Sequence, residues 1–106
     1  MRIVPDNGLV QASIGACYKR LGDEQAYKQQ IEMALAKLSP EWEKRETLYN
    51  RACFYTICGK AETALKLLAS AQREKQLTPA LAWSDIDFEL LWDDPRLEQL
   101  IGLRPS

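Results

Sequence analysis

The stretch that decides the fold runs Tyr49-Asn50-Arg51-Ala52-Cys53-Phe54-Tyr55 and leads to Gly59. Its reading depends on a second copy of the same spacing. Shifted back by 37 residues, Tyr55 falls on Tyr18, Gly59 on Gly22 and Ala52 on Gly15. The register continues downstream, where Leu68 falls on Ile31 and Ala71 on Ala34. A period of this size is the mark of stacked helical units, each too small to bury its apolar face alone. The matches fall where close packing needs a particular residue. Gly15 and Ala52 let one helix approach another. Gly22 and Gly59 suit the left-handed turn that ends a helix. Tyr18 and Tyr55 supply large amphipathic rings for an inter-helix seam.

Outward from that core, the chain reads as helical nearly throughout. A first helix starts at Leu9 and carries Leu9, Ala12, Ile14, Ala16, Cys17 and Leu21. Asp23 and Glu24 open a second, favoured by the positive end of its dipole. Its apolar stripe is Tyr27, Ile31, Ala34, Leu35 and Leu38. Ser39-Pro40-Glu41 opens a third helix, with a serine cap and a first-turn proline. That helix is expected to run on through Trp42, Leu48, Ala52, Tyr55 and Ile57, ending before Gly59. A fourth carries Ala61, Ala64, Leu65, Leu68 and Ala71, with Glu62 and Lys66 as an i, i+4 pair on its wet face. Thr78-Pro79 and Asp94-Pro95 then mark two more caps with first-turn prolines. They frame two or three short helices around Ala82–Trp92.

Composition narrows the function. The chain has 106 residues, one domain's worth. Fourteen basic residues against fifteen acidic ones argue against a dedicated nucleic-acid binder. Lys19, Arg20, Lys44 and Arg45 read as a solvated rim. No apolar run approaches the roughly 20 residues needed to cross a bilayer, and the first residues lack a leader's apolar core. An intracellular, cytoplasmic site is therefore expected. Histidine is absent, which removes imidazole chemistry and histidine metal ligands. Cys17, Cys53 and Cys58 form no C-x-x-C and read as reduced thiols packed as small apolar groups. Asp85-x-Asp87 and Asp93-Asp94 read as loop and cap acids, since no calcium-loop spacing follows them. No nucleotide-loop or hydrolase motif is present. Cys53, with Glu46 and Asn50 nearby, lacks the base that nucleophilic catalysis requires. No enzyme activity, cofactor or metal is expected. Charge is unevenly spread: twelve basic and nine acidic residues over 1–76, but two and six over 77–106. The acidic tail either folds back on a mildly basic body or offers an acidic surface to a basic partner.

The pattern resembles the tetratricopeptide repeat (TPR), a helix–turn–helix unit with a typical period of about 34 residues. The first unit reads Gln11-x-x-Ile14-Gly15-x-x-Tyr18, then Gly22, Tyr27, Ile31, Ala34 and Pro40. The second reads Leu48-x-x-Arg51-Ala52-x-x-Tyr55, then Gly59, Ala64, Leu68, Ala71 and Pro79. The Y-N-x-A-C-x-Y stretch at 49–55 is similar to degenerate members of the family. So is the ending, Ser84-Asp85-Ile86-Asp87-Phe88-Glu89-Leu90-Leu91 with Asp93-Asp94-Pro95-Arg96-Leu97. Gln11, Tyr27 and Arg51 depart from the usual aromatic, small residue and leucine. The longer period is expected to extend the third helix at its start, around Pro40–Lys44.

The resemblance implies an all-α, TPR-like α-α superhelix in a single domain over 1–106. Repeat 1 covers about 9–38, repeat 2 covers 40–75, and a degenerate repeat or cap covers 78–102. It further implies a non-enzymatic module that binds a protein, peptide or helix in a concave groove lined by the first helix of each pair. The implied groove residues are Leu9, Ala12, Ser13, Ala16 and Lys19, then Glu46, Tyr49, Asn50, Cys53 and Thr56. The face bearing Ile14, Tyr18 and Leu21 is assigned to the core. Asn50 matches an asparagine that holds peptide backbone in many relatives. Ala12 and Ala16 stand where a carboxylate clamp would need polar donors, so a groove with apolar anchors fits better. Val4-Pro5-Asp6-Asn7 resembles a loop between repeats. The chain is accordingly read either as the C-terminal part of a longer array or as self-associating through its first helix. Trp83, Ile86, Phe88 and Leu91 are expected to cover the open flank of the fourth helix.

Overall fold

The computed structural model describes residues 8–103. Pro5, Asp6 and Asn7, and with them the loop reading of the start, lie outside the described residues. All secondary structure among the described residues is helical. The chain divides into two compact units, Met1–Arg45 and Glu46–Ser106.

In the first unit, α1 (Gly8–Arg20) and α2 (Glu24–Ala36) form a hairpin, followed by the short α3 (Pro40–Arg45). Asp23 caps α2, its carboxylate accepting from the Ala26 N–H at 3.0 Å. The turn is drawn by Gly22 at φ +84°. There the Asp23 N–H reaches back to the Tyr18 carbonyl at 2.9 Å and the Gly22 N–H to Lys19 at 3.0 Å. Gly15 does what its smallness promised. A methyl group there would lie 3.1 Å from Gln30 Cβ and 3.3 Å from Ile31 Cδ1 on α2. Gln11, in place of an aromatic ring, ties the hairpin through its side-chain amide. It donates to Gln30 and accepts from Lys37 Nζ at 3.0 Å.

One assignment is reversed. The buried stripe of α1 is Gly8, Ala12, Gly15 and Ala16, whereas Ile14, Tyr18 and Leu21 are 43%, 36% and 80% exposed. The two helices are held close by small residues, so the larger side chains of α1 are left facing outward.

The third helix is likewise not continuous. Ser39 caps α3 as expected, its hydroxyl accepting from the Trp42 N–H at 3.1 Å. But α3 stops at Arg45, and Thr47 starts a new helix by accepting from the Asn50 N–H at 3.1 Å. The extra residues of the long period therefore make a separate helix, not an extension.

The second unit repeats the hairpin with α4 (Leu48–Ile57) and α5 (Ala61–Arg73). Its turn reproduces the first bond for bond. Gly59 has φ +80°, the Lys60 N–H reaches the Tyr55 carbonyl at 2.8 Å, and the Gly59 N–H reaches Thr56 at 3.0 Å. Ala52, Ala64, Leu68 and Ala71 are fully buried, as their register predicts. Three short elements follow: α6 (Pro79–Ser84), a 3-10 helix (Ile86–Leu91) and α7 (Pro95–Ile101). Thr78 and Asp94 cap them ahead of first-turn prolines. Trp92 Nε1 donates to the Ala82 carbonyl at 3.0 Å, fastening α6 to the end of the 3-10 helix.

The cap is arranged differently from the expectation. The 3-10 helix packs on α4, and it is α7 that packs on α5. Trp83, Phe88 and Leu91 are buried, but Ile86 is exposed. The Glu62–Lys66 pair is also absent, because Glu62 faces Arg96 at 4.0 Å instead.

Candidate functional site

Five of the implied groove residues lie on α1 of the first unit. Leu9, Ser13 and Lys19 are half-buried and keep some surface, while Ala12 and Ala16 are buried. Lys19 is already engaged. Its ammonium pairs with Glu24 at 3.2 Å and stands 4.6 Å from the centre of the Tyr27 ring.

The other five belong to the second unit, on α4 or just before it. Cys53 and Thr56 are buried, and Thr56 spends its hydroxyl on the Ala52 carbonyl at 2.7 Å. Glu46, Tyr49 and Asn50 are half-buried. The Asn50 amide donates to Glu46 Oε1 at 2.7 Å, and the same oxygen accepts from the Thr47 N–H at 3.1 Å. Ala12, Ala16, Cys53 and Thr56 thus offer a partner little surface, because short side chains on a packed helix face are covered by their neighbours. In the first unit the accessible part falls to Leu9, Ser13 and Lys19, and in the second to Glu46, Tyr49 and Asn50.

Tyr49 and Cys53 are held by the chain itself. The Tyr49 hydroxyl donates to Asp85, and the edge of its ring meets Phe88 at 5.4 Å between centroids with planes at 90°. The second oxygen of Asp85 accepts from the Asp87 N–H at 3.0 Å, capping the 3-10 helix. The Cys53 thiol, buried to 2% exposure, hydrogen-bonds Asp87. Burial raises the pKa of Tyr49, and the bond to Asp85 and its charge raise it further. Burial also raises that of Cys53, helped by the charges of Asp87 and Asp85. Both groups stay protonated and serve as donors. The acidic tail therefore turns two carboxylates toward an uncharged hydroxyl and an uncharged thiol.

The ligand atoms of Cys53, Asp85 and Asp87 lie within 4.8 Å of one another, close enough in principle to surround a cation. Holding one would require the thiol to give up its proton and Asp85 to exchange the Tyr49 hydroxyl for the ion. The arrangement reads as a clasp between α4 and the 3-10 helix. Sequence reasoning saw Asp85, Asp87 and Phe88 as parts of a closing segment, but their pairing with Tyr49 and Cys53 needs the fold.

Cys58 is buried as well, which pushes its thiol up to about 12. Cys17 is exposed on α1. No helix among the described residues is long and apolar enough to cross a membrane. Comparison of the chain with models of known protein families, with curated proteins and with solved structures finds no match.

Proposed function

We propose that this chain is a non-enzymatic protein-interaction module of the TPR kind. Its partner is a peptide or helix held against the first helix of a hairpin. The observation that carries the reading is the repeated turn. Gly22 and Gly59, 37 residues apart, share the left-handed conformation and the same pair of backbone bonds closing α1 onto α2 and α4 onto α5. Two helical hairpins built alike favour a surface over an active site. The residues offered to the partner are Leu9, Ser13, Glu46 and Asn50.

The test is site-specific photocrosslinking. A photoreactive residue at Ser13 and one at Asn50 should capture the same protein from the native lysate, and one at Thr63 on α5 should not. Capture of unrelated proteins from Ser13 and Asn50 would sink the reading.

A second reading, self-association, has its own observation. Val10, Ile14, Tyr18 and Leu21 leave an apolar stripe exposed along one side of α1. Sedimentation equilibrium distinguishes it: a dimer that Ile14→Glu dissolves supports association through α1, and a monomer at all concentrations excludes it.

A further inference from the structure

The contact between α4 and the 3-10 helix gathers three metal-ligating side chains that the proposed function leaves unused. Cys53 Sγ and one carboxylate oxygen each of Asp85 and Asp87 all lie within 4.8 Å of one another. Cys53 is almost wholly buried on α4, and Asp85 and Asp87 are half-buried at the start of the 3-10 helix. Around a tetrahedral zinc ion, with Zn–S about 2.3 Å and Zn–O about 2.0–2.2 Å, neighbouring donors stand about 3.4–3.6 Å apart. No pair of the three therefore has to close by more than about 1.4 Å. Rotation of the two carboxylates, whose terminal torsions are soft, supplies a movement of that size. The thiol and Asp87 already share a hydrogen bond.

Electrostatics at the triad suit a cation. Asp85 pairs with no lysine or arginine among the described residues. The charges of Asp85 and Asp87 both act against ionisation of the Cys53 thiol and of the Tyr49 hydroxyl. A divalent ion reverses that effect. It replaces the thiol proton, and the two carboxylates that resist a bare thiolate become its fellow ligands. The Asp85 carboxylate is already aimed. Its Oδ1 accepts from the Asp87 N–H at 3.0 Å and keeps that bond, while Oδ2, which holds the Tyr49 hydroxyl, is the oxygen free to turn to an ion. Ligating carboxylates are commonly fixed by such a hydrogen bond from behind.

We propose that Cys53, Asp85 and Asp87 form a binding site for a zinc-class divalent cation that fastens the 3-10 helix to α4. The donor set decides the class. A thiolate is a soft ligand and selects zinc over magnesium and calcium, which take oxygen shells. Three protein donors leave the fourth tetrahedral position to water. On binding, the Cys53 S–H bond breaks, a sulfur–metal bond forms, and the proton leaves to solvent. Tyr49 keeps its own proton and remains beside the site.

Cobalt(II) is the probe, because zinc, with its filled d shell, gives no absorption to follow. The full chain, reduced, is titrated with cobalt chloride. The expected result is a thiolate-to-cobalt charge-transfer band that saturates at one ion per chain. Zinc should displace it, and magnesium should not. Cys53→Ser should abolish the band, while Cys17→Ser and Cys58→Ser should keep it. Asp87→Asn should weaken binding at least about tenfold, since even the hydrogen-bond partners of metal ligands are worth that much. Circular dichroism establishes that each variant is folded before binding is read. A second measurement leaves the buried thiol untouched: zinc should raise the melting temperature of wild type and not that of Asp87→Asn. The proposal is lost if saturating cobalt gives no thiolate band, or if the band follows Cys17 instead of Cys53. It is equally lost if Asp85→Asn and Asp87→Asn both bind as tightly as wild type.

Discussion

The hydroxyl of Tyr49 on α4 donates to the carboxylate of Asp85, 36 residues further along the chain. This bond joins the hairpin of the second unit to the segment that closes it. It also explains why a residue assigned to a ligand groove is engaged by the protein itself. Tyr49→Phe should cost about 1.5 kcal/mol, the low end of the range for a bond to a charged acceptor, because the hydroxyl is half-buried. Asp85→Asn should cost a similar amount. The double variant should cost less than the sum by at least about 0.5 kcal/mol, since the two residues share one interaction. Urea denaturation of the four proteins measures the cycle, and strict additivity would show that the bond contributes nothing.

Two left-handed positions should respond in opposite directions. Gly59→Ala places a Cβ at φ +80° and should destabilise by about 1–2 kcal/mol. Lys75, which ends α5, sits at φ +60° with a side chain that this conformation disfavours. There the Gln76 N–H reaches back to the Ala71 carbonyl at 2.8 Å, as in the two glycine turns. Lys75→Gly should therefore stabilise by up to about 1 kcal/mol. Thermal melts of both variants check the pair of signs.

Gly15 sets a size limit between α1 and α2. Gly15→Ala should be close to neutral. The gain of about 1 kcal/mol in helix propensity offsets the strain of a methyl 3.1 Å from Gln30 Cβ. Gly15→Leu has no such offset and should cost about 1–3 kcal/mol or more as overpacking. A melt of Gly15→Leu indistinguishable from wild type would mean that the helices do not approach this closely.

The thiols should separate by burial and by pH. Cys17 should react rapidly with an alkylating reagent in the native protein, while Cys53 and Cys58 wait for unfolding. Mass spectrometry after a short pulse reads the sites. Cys58 is raised from its ordinary 9.0 to about 12. Its protonated form is favoured by folding, so its contribution is fully present below pH 9. It is lost progressively as pH rises toward 12, where the unfolded chain has released the proton and the folded chain still holds it. Cys58→Ala should flatten the alkaline decline in a denaturant series from pH 8 to 11.

Much of the fold was legible because it rests on residues with few alternatives. Gly22 and Gly59 mark turns by conformation, Ser39, Thr78 and Asp94 mark caps by chemistry, and Ala34 and Ala71 mark tight contacts by size. The break between α3 and α4 was not legible. Glu43-Lys44-Arg45-Glu46 contains no glycine or proline, and the capping role of Thr47 shows only once the chain has turned. The faces of α1 were misassigned for a related reason. Hydrophobicity ranked Ile14, Tyr18 and Leu21 above Ala12 and Gly15, but the distance between α1 and α2 admits only the small residues. At the candidate site, the spacing located Glu46, Tyr49 and Asn50 near one another. It could not show that Asp85 and Asp87 would meet Tyr49 and Cys53, because pairing over such separations is a property of the folded chain.

The placement of the tryptophans gives the protein a built-in optical assay. Trp42 is the sole indole of Met1–Arg45, whereas Trp83 and Trp92 belong to Glu46–Ser106. Trp42→Phe leaves an emission signal from the second unit alone, and Trp83→Phe/Trp92→Phe leaves one from the first. Coincident denaturation midpoints from the two variants, each corrected for its own change in stability, would show that the units melt as one cooperative body. Separate midpoints would show that either hairpin can open while the other stays folded.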